Sequence, residues 1–221
     1  MKKNSKIIIP IILFLFLQTL NPSNKSILLD ESFINEYKGT IVKNKIEEKL
    51  EQEVDKFIKY YAPDTKLSPE YLVAKCLEYN IDISFVLAQG LLESHFGTKG
   101  KSKYTNSIWN VGTYDNGEIL YKYKHPNQSI IPYLKLIKNK YLKQITNNGD
   151  TIPKSIKTLL NSGYININGL RFASEKSYEK RMKILINKIN YTTKIKIYQD
   201  YLKQNNKQLA INFNKINFNE I

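Results

Sequence analysis

Cysteine is almost missing from this 221-residue chain. Cys76 stands alone, so no disulfide can form within the chain and a cysteine-stapled scaffold is excluded. Histidine is nearly as scarce: His95 and His125 are the only two, too few soft ligands for a Cys/His zinc site. The expectation is a protein with no metal and no cofactor. Long apolar runs are confined to residues 7–17, which excludes a bundle of membrane spans. Acid is what the second half lacks. Residues 1–118 hold 15 basic and 15 acidic side chains, whereas residues 119–221 hold 19 basic and only 5 acidic ones. The entire net charge of +14 therefore lies in the second half. Such a surface attracts polyanions: nucleic acid, anionic lipid or an anionic cell wall.

What is present suffices for a globular core. The chain is 42% hydrophobic and 12% aromatic, which excludes disorder throughout. Lys2, Lys3 and Lys6 precede the apolar run, and Pro10 interrupts it. A run this short falls well below the roughly 20 residues that a spanning helix needs. Residues 1–26 therefore read as an export signal or an uncleaved anchor, with residues 7–20 as the part that would meet a membrane. The implied location is the cell envelope or the exterior, or a virion.

Within residues 27–66, a helical linker segment, Val42, Ile46, Leu50, Val54, Phe57, Ile58 and Tyr61 form one stripe. This helix either joins the leader to the main domain or packs on it. Ser68–Pro69 is a helix start, and the helix stops at Asn80. Asp82 or Ser84 caps a second helix running through Leu91 and Leu92, for which Gly97 is the expected terminal glycine. Residues 108–123 are rich in strand formers, and Asn116–Gly117 is a hairpin signal between them. Helical periodicity returns at Ile130, Tyr133, Leu134 and Ile137. A turn is expected over 147–150, a helix opening at Pro153, and another over 175–189. Residues 191–221 form a basic tail, read either as a helix packed back on the domain or as a cationic arm. The pattern is α+β and mainly helical, with a small β-hairpin.

Glu93 is the residue that demands an explanation. It follows a run of apolar residues at the end of the second helix, where scarce solvent disfavours a charged carboxylate. A protonated carboxyl group at neutral pH is what a glycosidase uses to protonate a departing sugar oxygen. The alternative for an isolated glutamate is an exposed helix end paired with a lysine. On the hairpin, Trp109, Tyr114, Tyr121 and Tyr123 offer faces either for stacking on sugars or for the core. Lys99, Lys101, Lys103, Lys122 and Lys124 border the same region.

The stretch Ala88-Gln89-Gly90-Leu91-Leu92-Glu93-Ser94-His95-Phe96-Gly97 resembles the catalytic helix of glycoside hydrolase family 73, with its pattern A-Q-x-x-L-E-S-aromatic-x-G. These are glucosaminidase-type peptidoglycan hydrolases of lysozyme-like fold. Residues 106–113 resemble the family's N-L-F-G-I-K stretch, and residues 123–133, with Ser129 and Tyr133, resemble its next segment. Gly163-Tyr164 and residues 172–180 resemble G-Y-A-T-D-P-x-Y-x-x-K. The resemblance spans about residues 67–190. It departs from the pattern at residues 165–170, an extra segment, and at Ser174-Glu175, which replaces Thr-Asp.

The resemblance implies a lysozyme-like fold with a small β-hairpin lobe beside the cleft. It implies Glu93 as general acid and Tyr178 as the tyrosine of the groove. It places Gln89, His95, Phe96, Trp109, Tyr114 and Tyr123 among substrate-binding residues, with peptidoglycan glycan strands as partner and no specific nucleic acid. Asp115 or Glu118 would serve as second catalytic group, unless the substrate's own N-acetyl oxygen does so. The implied reaction is hydrolysis of the N-acetylglucosaminyl-β-1,4-N-acetylmuramyl bond. Lytic transglycosylation and a non-catalytic wall-binding or virion module of the same fold are the alternatives.

Overall fold

The structure, a computed structural model, describes residues 31–112 and 118–205. The expected leader at 1–26, the expected Asn116–Gly117 turn with Tyr114 and Asp115, and the tail beyond residue 205 lie outside the described residues. The first helix, α1 (Glu31–Tyr61), crosses between two compact units, which divide between Lys45 and Ile46. Within the first unit, residues 31–45 are helical. Everything below belongs to the second unit, Ile46–Ile221.

Among the described residues, no helix is long and apolar enough to cross a membrane. Leu50, Val54, Phe57 and Ile58 of α1 are buried in the core. At about 1.5–3 kcal/mol for each large apolar side chain, this stripe contributes at most about 6–12 kcal/mol. That is too much for a bare linker, so residues 46–61 are an integral part of the domain.

The helix α2 (Pro69–Tyr79) starts as its sequence dictates. The Ser68 side chain accepts from the Tyr71 N–H, and Asn80 closes the helix in the left-handed region. The central helix is α3 (Ile83–Ser94), where Asp82 accepts from the Phe85 N–H. Every residue from Ile83 to Leu91 is buried. This helix is apolar all round because it is enclosed all round. It packs chiefly against α7 (Tyr178–Thr192), and Ser84 Oγ donates to Asn190 Oδ1 across that contact at 2.6 Å.

The helix over residues 195–205 also docks on the domain, with Ile195 and Leu202 buried. Its Gln199 is fully buried. It accepts from the Ile83 N–H at 3.0 Å and donates to the Ile81 carbonyl at 2.8 Å. Lys196 pairs with Asp82 at 3.0 Å. Of the two readings of the tail, residues 195–205 follow the packed helix.

Between these lie α4 (Ser102–Thr105), a 3-10 turn (Pro126–Ser129) and α5 (Ile130–Leu136). A π-helical turn (Ile137–Tyr141) continues α5, closed by the Leu142 N–H donating to the Ile137 carbonyl at 2.8 Å. Strands β1 (Lys143–Ile145) and β2 (Thr151–Pro153) pair antiparallel, with Gln144 opposite Ile152. The helix α6 (Ile156–Asn161) follows.

Four local expectations are corrected. The second helix ends at Ser94 rather than near Gly97, because His95 turns left-handed. Pro153 ends a strand, and Ser155 caps the following helix by accepting from the Thr158 N–H. The helix expected over 175–189 begins at Tyr178, not Glu175. Residues 108–112 form turns around the buried Trp109, and the one two-stranded ladder among the described residues flanks the expected turn at 147–150. The residues flanking the expected 116–117 turn nevertheless meet, since the Leu120 N–H donates to the Gly112 carbonyl at 2.7 Å.

Candidate active site

Glu93 sits in the last turn of α3, and the chain reverses immediately after it. His95, Phe96 and Gly97 all have positive φ, at 47°, 53° and 87°. For a bulky residue such as Phe96 this costs about 1–2 kcal/mol. It is offset by burial: the Phe96 ring is fully enclosed, edge-on to Phe57 at 6.2 Å. The Ser94 hydroxyl then ties the helix end to the next segment, donating to the Ile108 carbonyl at 2.7 Å and accepting from the Gly97 N–H at 2.8 Å. Gly90 lets the same segment approach the helix. A Cβ there would stand 3.2 Å from the Phe96 ring and 3.2 Å from Trp109 Nε1. Trp109 uses that space, donating to the Val86 carbonyl at 3.1 Å and stacking on Tyr133 at 4.4 Å.

Trp109 thereby fixes Asn110 beside Glu93. Asn110 has φ 51°, a left-handed conformation that asparagine tolerates better than most residues. Its Nδ2 donates to the Glu93 carboxylate Oε2 and to the Glu93 main-chain carbonyl, both at 3.0 Å. The other carboxylate oxygen, Oε1, accepts from the Tyr178 hydroxyl at 2.5 Å. Helix α7 supplies Tyr178, 85 residues away in sequence. One carboxylate is thus held at both oxygens by neutral donors from two different segments.

Tyr178 is 5% exposed. Burial, then the Glu93 charge and the hydrogen bond to it, push its phenol well above the usual tyrosine range, while the Gln89 carboxamide opposes the shift. At neutral pH it is therefore a hydroxyl and not a phenolate.

Beneath the site, Gln89 Oε1 accepts from the hydroxyls of Tyr133 and Tyr164, both at 2.7 Å. Burial raises both phenols well above their ordinary value. Unfolded tyrosines ionise near pH 10 while these three stay neutral in the fold, so above pH 10 the unfolded state binds fewer protons. Their stabilisation is complete below pH 10 and is lost as pH rises further, by up to about 1.4 kcal/mol per tyrosine per pH unit. In denaturant melts this contribution should be flat from pH 8 to about pH 10 and then fall steeply. An unchanged midpoint at pH 11 would contradict the buried network.

Glu93 opens into a cleft of about 1140 Å³. Tyr178, Asn110, Trp109, Tyr121 and Tyr123 line it too, with the Phe172 ring 6.0 Å from that of Tyr178. Gly112 is required here: at its φ of 73°, a Cβ would fall 2.2 Å from the Tyr121 ring. Among the described residues the cleft has one further carboxylate, Glu175, which accepts from Ser177 and from Arg181. The Ser177 hydroxyl and then the Arg181 charge hold Glu175 below the usual carboxylate range.

The sequence expectations divide accordingly. Glu93, Tyr178 and Tyr123 meet in the cleft, whereas Trp109 borders it but is 1% exposed, with its ring stacked on Tyr133. Gln89 and Phe96 do not: both are fully buried in the core, out of reach of a ligand. His95 caps α3 and does not line the cleft, and burial followed by Lys99 lowers its pKa. Glu118 is exposed and does not line the cleft. Tyr114 and Asp115 lie outside the described residues. Sequence reasoning did not single out Asn110 or Glu175. For Asn110 the usable signal was an asparagine directly after the buried tryptophan, where a left-handed residue is tolerated. Among the described residues, no cluster of three or more His, Cys, Asp or Glu could hold a metal ion.

A carboxylate at the end of a buried helix, held by neutral donors and facing an aromatic cleft, is suited to exchanging a proton with a bound ligand. Comparison with protein families makes this specific. The model described as mannosyl-glycoprotein endo-beta-N-acetylglucosaminidase matches residues 69–191, more than half of the chain, and the chain belongs to this glucosaminidase family. The domain is lysozyme-like, and its family supports a glycoside hydrolase of the peptidoglycan-hydrolase type. Searches of curated proteins and of solved structures found no significant match.

Proposed function

We propose that the protein is an endo-β-N-acetylglucosaminidase that cleaves the N-acetylglucosaminyl-β-1,4-N-acetylmuramyl bond of peptidoglycan, with Glu93 as general acid. The observation that carries this reading is Glu93 itself, clamped between Tyr178 and Asn110 and facing the aromatic cleft. The clamp suits both halves of an acid/base cycle. A hydroxyl can donate or accept, so Tyr178 can hold Glu93 as a carboxylate or as a protonated acid. Asn110 keeps Oε2 fixed in either state.

The described residues fit substrate assistance. The 2-acetamido oxygen attacks the anomeric carbon as the glycosidic bond breaks, and Glu93 transfers its proton to the departing oxygen. Water then opens the cyclic intermediate, with Glu93 accepting the proton. This route needs one protein carboxylate; among the described residues Glu118 lies off the cleft and Glu175 is engaged by Ser177 and Arg181, while Asp115 lies outside them. A wall substrate requires export, for which the basic-apolar leader is suited. The excess of basic residues in the second half favours adhesion to an anionic wall.

Replacing Tyr178 by phenylalanine should leave the fold intact and lower kcat by about 10- to 100-fold through misplacement of Glu93. The rate of reducing-end release from purified peptidoglycan measures this. Wild-type kcat in Tyr178→Phe would show that the clamp plays no part.

A further inference from the structure

One wall of the cleft is not accounted for by cleavage of the sugar backbone. It is built from the end of α5 and the extra segment at residues 165–170. Lys135 at the end of α5, and Asn139 and Lys140 in the π-helical turn that continues it, line the cleft. Lys135 and Lys140 are five residues apart, which in a regular α-helix would put them on different faces. The π-helical turn holds one extra residue and rotates Lys140 back to the face of Lys135.

The extra segment is pinned against that turn. The Ile167 N–H donates to the Lys140 carbonyl at 2.9 Å. Lys154 Nζ holds the Ile165 carbonyl at 3.2 Å. Within the loop, Asn166 Oδ1 accepts from the N–H groups of Asn168 and Leu170, at 2.8 and 3.0 Å, and Ile165 bridges to Arg171. The loop so fixed presents Leu170 to the cleft, 63% exposed.

The charges on this wall do not cancel. Arg171 is engaged by Glu179 and Arg181 by Glu175. Among the described residues, Lys135 and Lys140 make no ion pair and no side-chain hydrogen bond, and both are exposed. Two unengaged ammonium groups, the Asn139 amide and an exposed leucine therefore border one side of the cleft.

We propose that this wall binds the carboxylate-bearing peptide branch of the muramyl sugar, so that the protein favours peptide-bearing over bare glycan. The inference rests on the glycan-cleaving function proposed above. A wall phosphodiester could also meet the two lysines, but it offers nothing to Leu170. A short peptide supplies carboxylates for the lysines, amides for Asn139 and methyl groups for Leu170.

The test uses the full chain and three substrates: intact wall, wall stripped of teichoic acid, and glycan strands freed of their peptides by an amidase. The readout is the ratio of kcat/KM on peptide-bearing strands to that on peptide-free strands. In Lys135→Ala/Lys140→Ala this ratio should fall roughly 3- to 10-fold, as expected for two exposed ion pairs. It should fall with or without teichoic acid. The wild-type ratio should also fall at high salt. Leu170→Ser should lower the ratio without changing its salt dependence. Thermal melts confirm that each variant is folded. An unchanged ratio in both variants would overturn the proposal, as would a loss that vanishes once teichoic acid is removed. Cleavage of peptide-free strands by wild type keeps the glucosaminidase reading standing even then. Failure of wild type on all three substrates would overturn both.

Discussion

Glu93→Gln should lower the rate of glycan cleavage by about 10²- to 10⁴-fold, the usual contribution of a general acid. The fold should survive the change. Glutamine keeps one carbonyl oxygen to accept from Asn110 Nδ2, and its new amide can donate to the Tyr178 hydroxyl, which accepts as readily as it donates. The clamp is preserved while the transferable proton is lost. The melting temperature should therefore stay within about 2 °C of wild type, since such a change is worth only a few tenths of a kcal/mol. Affinity for insoluble peptidoglycan, read by co-sedimentation, should also be retained. Unimpaired release of reducing ends by Glu93→Gln would remove Glu93 from the chemistry.

The largest effect on stability is expected at Gln89→Leu. Leucine fits the buried site by volume and removes the Nε2 group, which has no hydrogen-bond partner among the described residues. It also takes away the acceptor that holds the Tyr133 and Tyr164 hydroxyls. Each orphaned buried hydroxyl costs about 1–3 kcal/mol, and the gain from deleting Nε2 offsets part of this. A net loss of about 2–4 kcal/mol lowers the melting temperature of a domain this size by roughly 5–15 °C. Adding Tyr133→Phe and Tyr164→Phe to Gln89→Leu should recover much of it, because no hydroxyl is then left without a partner. A single Gln89→Leu protein with the wild-type melting temperature would show that the network carries no weight. The outcome also bears on sequence reading, since the family-like motif placed Gln89 among substrate contacts and the structure places it in the core.

The helices were legible because their ends carry their own chemistry. Ser68–Pro69, Asp82 and the left-handed Asn80 act within a few residues, so local sequence suffices to place them. Glu93 was legible for a similar reason, as a carboxylate closing an apolar helix. Its clamp was not. Tyr178 could be named only by resemblance, because contact between residues 85 positions apart leaves no local pattern.

Asn110 went unnoticed because its role depends on a left-handed backbone and on Trp109 being drawn under α3 by Gly90. The ladder at 143–153 was not foreseen, and the centre of the expected 116–117 hairpin lies outside the described residues. Strand-forming residues at 108–111 owe their apolar character to burial beneath the cleft, a demand that a turn meets as well as a strand does. The segment at 143–153 pairs despite modest strand propensity, because its turn closes it: the Thr146 N–H donates to the Asp150 carbonyl at 2.8 Å. Lys140 belongs to the cleft through a π-turn, and a helical periodicity of 3.6 cannot announce an inserted residue.

The most direct measurement is mass spectrometry of the products that the wild-type protein releases from purified peptidoglycan, after borohydride reduction. Cleavage of the proposed bond leaves N-acetylglucosamine at the new reducing end, so reduced N-acetylglucosaminitol should terminate the soluble fragments. Fragments ending in anhydro-muramyl sugar would assign the cleft to lytic transglycosylation. Fragments ending in reduced muramic acid would place the cut on the other glycosidic bond, and either result would contradict the account.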